Sequence, residues 1–284
     1  LRQVYVNGDY LPETEARISV FDRGFLFADG VYEVTLVLDR KLVDFAGHMR
    51  RLRHSLGELD MAFALTNEKL LDIHRELIRR NDIEEGLVYL QVTRGAADRD
   101  FLFPADATPR TLVVFTQKKS LVDSPLAERG LHVITVEDLR WRRCDIKTVQ
   151  LLYPSMAKME AKSRGADDAW MVRDGFVTEG SSNNAYIVTL EGTVVTRDLS
   201  TDTLRGITRE AVLQCAQDLQ LRIEERPFTV EEVENAAEAF STSSSGLVSP
   251  VVRINERVVG KGTPGPMAAR LRQLYLERSR ASAI

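Results

Sequence analysis

Short apolar runs broken by turn-forming residues fill positions 1–47, the pattern of strands joined by tight turns. Asn7-Gly8 stands between apolar flanks in VYVNGDYL and predicts a hairpin, because both residue types accept the positive φ that a two-residue loop demands. VYEVTLVLDRKLVDF, which follows Gly30, predicts two further strands with a turn near Asp39 and Arg40. The period then changes. Met49, Leu52, Leu56 and Leu59 recur at helical spacing, and a second helix is expected across 67–80 with Leu70, Ile73, Leu77 and Ile78 on one side. The stripe through Met49 and Leu52 puts neither Arg50 nor Arg51 inside. GLVYLQVTRG (86–95) and RTLVVFTQ (110–117) return to strand patterning.

The polar, proline-containing KKSLVDSPLAERG (118–130) is the best linker candidate and divides the chain into 1–117 and 131–284. Beyond it LHVITVED reads as a strand. Two hairpins follow, AWMV folding onto FVTEG through Asp174-Gly175 and AYIVTL onto TVVTR through Glu191-Gly192. Helices are expected from about Thr208 to Leu219, behind a Thr229/Glu232 capping box, and from Pro264–Pro266 onward with Met267, Leu271 and Leu274 turned inward. Strands and helices cluster rather than alternate, which predicts an α+β fold.

Composition acts mainly by exclusion. At 44% apolar and 28% charged residues over 284 positions, the chain can bury a sizeable core without disulfides or metals. The net charge of −4 has the wrong sign for a nucleic-acid surface, although a few local arginines could still bind a small anion. No run approaches 18 apolar residues, so no membrane span is expected. Two cysteines outside any CxxC pair suggest a cytoplasmic setting, and four histidines without HExxH or a Cys/His cluster offer no metal site.

Four stretches could carry chemistry. In RRCDIK (142–147), Lys147 beside Ile146 and Val149 can point inward from a strand, where a desolvated lysine loses charge and becomes a nucleophile for an aldehyde; taken alone, the residue reads more readily as a solvated lysine at a strand edge. In TEGSSNN (178–184), Glu179 followed by Gly and small polar residues suits a carboxylate held against a ligand, as well as it suits a surface loop. RGITRE (205–210) places N–H groups and the Thr208 hydroxyl at a helix start, an anion cradle or simply a cap. STSSSG (241–246) offers a hydroxyl-rich turn that completes an anion cradle or is simply a polar loop. An aldehyde-binding lysine, a carboxylate and two anion cradles together are what pyridoxal 5'-phosphate needs.

The ordered set DIK, VTEGSSNN, GITR and STSSSG resembles the fold type IV pyridoxal-phosphate enzymes, and the likeness runs from DRGFLFADGVYEV to PGPMAARL. It implies a smaller N-terminal α/β domain (1–117), a linker (118–130) and a larger C-terminal domain (131–284) with a barrel-like β core, the cofactor lying in the cleft between domains. By matching positions, Lys147 resembles the lysine that carries the cofactor and Glu179 the partner of its ring nitrogen. Arg51, in HMRR, resembles the arginine on its phosphate, while Ser182, Ile207, Thr208, Ser243 and Ser244 match further contacts. GVYEV and YLQVTRGAADRDFLFP resemble the D-amino-acid aminotransferases, with Tyr32 near the substrate. Arg99 stands at the arginine of that branch's RxH pair, which grips the substrate carboxylate; Phe101 replaces the histidine. The resemblance therefore implies a ping-pong transaminase moving the amino group of a D-amino acid such as D-alanine to a 2-oxo acid such as 2-oxoglutarate. Alternatives are an (R)-amine aminotransferase, a branched-chain L-amino-acid aminotransferase, and a catalytically silent cofactor-binding protein. Family members are homodimers in which a neighbouring subunit's loop closes the pocket.

Overall fold

A computed structural model describes all of residues 1–284. The chain forms two compact units by contact: Leu1–Ser120 with Ile146–Gln150 and Ser279–Ile284, and Leu121–Asp145 with Leu151–Arg278.

In the first unit the Asn7-Gly8 turn, with both residues at positive φ, joins β1 (Gln3–Val6) to β2 (Asp9–Pro12). A short helix α1 (Arg23–Phe27), capped by the Asp22 carboxylate, leads to β3 (Gly30–Leu38). The turn at Asp39 and Arg40 gives β4 (Lys41–Leu42). The helices α2 (Phe45–Glu58) and α3 (Asn67–Arg80) follow, then β5 (Gly86–Thr93) and β6 (Thr111–Lys118). The sheet order is β2-β1-β6-β5-β3-β4, antiparallel throughout. Alternation along β3 sends Val31, Glu33, Thr35 and Val37 into the layer shared with the apolar sides of α2 and α3, where Met49, Leu52, Leu70, Ile73 and Leu77 are fully buried. Tyr32 stands on the opposite face in a ring stack with Tyr89, which itself stacks on Phe115.

Backbone pairing draws two distant stretches into this unit. Tyr32 N–H donates to the Lys147 carbonyl and Val149 N–H to that of Gly30, so 146–150 extends the sheet beside the start of β3. Leu42 and Ile284 exchange N–H···O bonds in the same way. The sequence grouped both stretches with 131–284; non-local hydrogen bonds of this kind leave no mark on composition or period.

The second unit begins in the stretch that reads as a linker, which contains a short helix α4 (Pro125–Arg129) with proline in its first turn. Then come β7 (Leu131–Glu137), α5 (Leu152–Ser163), β8 (Asp168–Arg173), β9 (Phe176–Gly180), β10 (Asn184–Val188) and β11 (Val194–Thr196). After α6 (Ile207–Asp218) the chain runs through β12 (Ile223–Glu225), α7 (Val230–Glu234), β13 (Glu238–Ser243), β14 (Leu247–Ile254), β15 (Arg257–Val258) and α8 (Pro266–Ser282). The nine-stranded mixed sheet has the order β12-β11-β10-β13-β14-β7-β8-β9, with β15 on β14. Although β9 ends this order, it packs on β10 and Gly180 N–H donates to the Asn183 carbonyl, curling the sheet into the barrel-like β core of an α+β chain. Trp170, Phe228, Val133 and Ile254 fill it. On α8 the deeply buried apolar positions are Ala268, Leu271 and Tyr275, with Met267 and Leu274 flanking them half-buried. No helix is long and apolar enough to cross a membrane.

Candidate active site

Lys147 lies in an extended pentapeptide whose alternation decides its direction. Ile146 and Thr148 are buried on the helix side, and the isolated bridge pairs Thr148 with Val31. The Lys147 side chain therefore emerges on the Tyr32 face, where Nζ lies 4.2 Å from the Tyr32 ring centroid. Its own N–H donates to Ser55 Oγ on α2 at 3.1 Å, and its carbonyl accepts from Tyr32. The backbone on both sides is thus fixed while the amine is left half-buried.

One strand residue further, Glu33 points into the helix layer. A buried carboxylate there requires partners, and α2 supplies two, three positions apart on one face. Arg51 Nε and Nη2 donate to Glu33 Oε1 and Oε2 at 2.8 and 2.7 Å, and His48 Nδ1 lies 2.7 Å from Oε2. Burial alone would raise the Glu33 pKa; Arg51 and His48 overcome it and hold the carboxyl at about 2. Arg51 is itself buried, contrary to the helical stripe that placed it outside, because its charge is paired within the layer.

In the second unit Glu179 ends β9, fully enclosed. Arg140 Nη1 donates to Oε1, while Asn184 Nδ2 (3.1 Å) and the Leu204 N–H (3.0 Å) donate to Oε2. Arg140 in turn forks onto Asp138 through Nε and Nη2, at 2.9 and 2.8 Å. Burial raises the Glu179 pKa despite these donors, whereas the carboxylates of Glu179 and Asp138 hold Arg140 protonated against the same burial. Any further cation beside Glu179 would favour its ionised form.

Asn184 carries this network to the start of α6. Its Nδ2 also donates to the Leu204 carbonyl at 2.9 Å, and a Cβ at Gly206 would collide with its Oδ1. Gly206 is the N-cap of α6 without any side-chain cap bond, so the first-turn N–H groups, at buried Ile207 and Thr208, have no capping partner of that kind. The STSSSG stretch closes the β13–β14 hairpin. Ser243 pairs with Leu247, and Gly246 N–H donates to Ser243 Oγ at 2.9 Å, leaving the Ser243 hydroxyl proton to be donated elsewhere. Ser244 is half-buried in the loop and Ser182 is exposed on the turn after Glu179.

In the second unit an uncapped helix start, a hydroxyl-lined turn and a buried carboxylate suit a phosphate and a cationic ring nitrogen; in the first, a fixed lysine suits an aldehyde. The sequence pattern of the amino-transferase class IV family matches residues 30–254. The chain belongs to the class IV aminotransferases. This class IV aminotransferase is 36% identical over 273 residues to the D-alanine aminotransferase of Staphylococcus haemolyticus, with 96% of both chains covered. It is 37% identical over 266 residues to that of Bacillus licheniformis, with 93% of both covered. Among solved structures, a branched-chain amino acid aminotransferase from T.th. with pyridoxamine 5'-phosphate matches with a TM-score of 0.91 at 28% identity, over 98% of this chain and 94% of that one. The Escherichia coli branched-chain enzyme, at 20% identity and TM-score 0.90 over 98% and 94%, shares the fold.

In this class IV aminotransferase the sequence-level candidates fall into separate clusters. Tyr32, Arg51 and Lys147 belong to the first unit; Glu179, Ser182, Ile207, Thr208, Ser243 and Ser244 belong to the second. Arg99 and Phe101 occupy an exposed loop of the first unit, the Arg99 guanidinium lying 5.4 and 5.6 Å from the rings of Phe27 and Phe101. Sequence reasoning missed Glu33, His48, Asp138, Arg140 and Asn184. Glu33 carried a signal as a charged residue at an inward position of a strand, and His48 and Asn184 lay inside the HMRR and TEGSSNN stretches without being singled out; Asp138 and Arg140 carried none.

Proposed function

We propose that this aminotransferase uses pyridoxal 5'-phosphate to move the amino group of a D-amino acid, such as D-alanine, to a 2-oxo acid, such as 2-oxoglutarate, in two successive half-reactions. The observation that carries the reading is the whole-length likeness, at 35–37% identity, to D-alanine aminotransferases, against 28% or less for the branched-chain enzymes among its structural neighbours. When bound, the cofactor supplies an aldehyde that takes up the amino group and a protonated ring that draws electrons from the substrate Cα. Lys147 Nζ holds the cofactor at rest and moves the proton to and from that carbon. Glu179 pairs with the ring N–H, its geometry set by Arg140, Asn184 and Leu204. Arg51, oriented by Glu33, brings positive charge to the phosphate. Ile207 and Thr208 at the start of α6, with Ser182, Ser243 and Ser244, contribute the remaining contacts. Tyr32 lines the substrate side, and Arg99 takes the carboxylate, with Phe101 as an apolar neighbour in place of a second donor.

The working form is a homodimer. Val20, Phe21, Phe25, Phe101, Leu102 and Phe103 are all more than half exposed, and their two loops are joined by Phe27 on Phe101 and by Arg23 donating to the carbonyls of Asp100 and Leu102. Leu152, Met156 and Met159 form a second exposed stripe on α5. Apolar surface of this extent suits a partner, and a second copy is the occupant the reading requires. Buried thiols at Cys144 and Cys215, outside any disulfide, suit a reducing, cytoplasmic compartment.

The test is a set of half-reactions in which the cofactor-loaded protein meets D-alanine, L-leucine or an (R)-arylamine separately, with the oxo product quantified. Pyruvate from D-alanine, lost in Lys147→Ala, is the expected result. Turnover of only L-leucine or only the arylamine overturns the substrate assignment, and activity in Lys147→Ala overturns the mechanism.

A further inference from the structure

The turn after β13 contains a conformation that needs outside support. Leu247, fully buried, sits at φ +56°, in the left-handed region that L side chains adopt only at a cost. Such residues persist where their surroundings over-determine them, and they gather at ligand sites. Arg272, half-buried on α8, supplies the constraint. Its Nη1 donates to the carbonyls of Gly246 (3.2 Å) and Val248 (2.9 Å), the residues on either side of Leu247. Its Nη2 donates to the carbonyls of Leu121 and Val122, both at 2.8 Å, where the chain first joins this unit. One planar guanidinium thereby references the turn to a second, distant backbone segment. Ser249 Oγ adds a further bond to the Gly246 carbonyl at 2.8 Å.

We propose that Arg272 is a positioning residue for phosphate binding: by clamping the backbone around Leu247 it holds the Ser243–Gly246 turn in the form that receives the cofactor's phosphate. The inference rests on the reading of that turn as part of the phosphate cup. A lysine cannot substitute, since a compact ammonium with three donors cannot span four carbonyls arranged around a planar fork.

The experiment titrates the cofactor-stripped, full-length protein with pyridoxal 5'-phosphate and, separately, with pyridoxal, which lacks the phosphate, following tryptophan fluorescence. Arg272→Lys and Arg272→Met should weaken pyridoxal 5'-phosphate about 10- to 100-fold, the size of effect seen when a group that orients a ligand-holding residue is removed, and leave pyridoxal nearly unchanged. Equal weakening of both ligands, or of neither, overturns the inference. If the methionine variant is unfolded by circular dichroism, the lysine variant decides alone. A Ser243→Ala/Ser244→Ala variant separates the two possible failures. If it lowers the preference for the phosphorylated ligand while the Arg272 variants do not, the clamp is wrong and the cup stands. If it also leaves that preference intact, the cup itself is wrong.

Discussion

Lys147 Nζ lies 4.2 Å from the centroid of the Tyr32 ring, while the Lys147 carbonyl accepts a 3.0 Å hydrogen bond from the Tyr32 N–H. One residue of β3 thus holds both the backbone and the side chain of the lysine. Tyr32→Phe keeps the ring face and should retain most of the first half-reaction. Tyr32→Ala should slow it about 2- to 30-fold, the range of a cation–π contact worth about 0.5–2 kcal/mol. Single-turnover measurements with D-alanine check this, and equal rates in the two variants would remove the ring from the account.

Glu33 carries a pH-dependent part of the stability. Burial raises its pKa, but Arg51 and His48 bring it below the ordinary 4.5 to about 2. A depressed carboxylate pKa contributes stability that is complete above about pH 4.5 and disappears as pH falls towards 2. Glu33→Gln, which strands the buried Arg51 charge, should cost about 3–5 kcal/mol at pH 7. In denaturant titrations the gap between wild type and variant should narrow as pH falls through that window; a constant gap would mean that Glu33 is not the titrating group.

Asn184 couples the Glu179 carboxylate to the loop before α6. Asn184→Asp replaces the donor with a second carboxylate and should push the already raised Glu179 pKa further up. In the proposed mechanism Glu179 works as an anion, so the acid limb of the rate profile should move to higher pH, with kcat at neutral pH down about 10- to 100-fold from the lost charged hydrogen bond. An unmoved acid limb would leave Asn184 a purely structural role.

Phe101 stands beside Arg99; in the function proposed above, a polar donor there would add a charge-assisted hydrogen bond to the substrate carboxylate, worth about 1.5–3 kcal/mol. Phe101→His should raise kcat/KM for D-alanine about tenfold or more and leave an (R)-arylamine, which has no carboxylate, unchanged. Parallel gains for both donors would show that the position acts on loop packing instead.

The exposed rings of Phe25 and Phe103 should lie under a second copy. Sedimentation at micromolar concentration is expected to show a dimer, and Phe25→Asp with Phe103→Asp to shift it to monomer. A wild-type monomer would refute the assembly.

The strands and helices with clear period were legible: α3 covers 67–80 as its leucine and isoleucine spacing predicts, and α6 starts one residue before Thr208. α5 was not, because its buried stripe is Ala157 and Ala161 while Leu152, Met156 and Met159 face outward, an inversion of the usual amphipathic signal. The same limit governs the site. Lys147 and Glu179 stand out through their local motifs, and Asn184 lies within that of Glu179, but Arg140 and Asp138 matter only through partners about 40 positions away, and nothing local in RW or ED marks them. Arg51 shows the opposite error: helical period placed it outside, and an ion pair with Glu33 brought it in.

The pentapeptide bearing Lys147 belongs to the first unit, yet the chain on both sides of it belongs to the second. Neither half of the molecule is therefore a heritable piece. A gene fragment for 131–284 would encode Lys147 without the strand that aims it, and one for 1–117 would encode that strand with nothing to aim. Recombination between relatives at the 118–130 stretch would exchange β3 and Lys147 separately, so the two must change together or be inherited from the same parent.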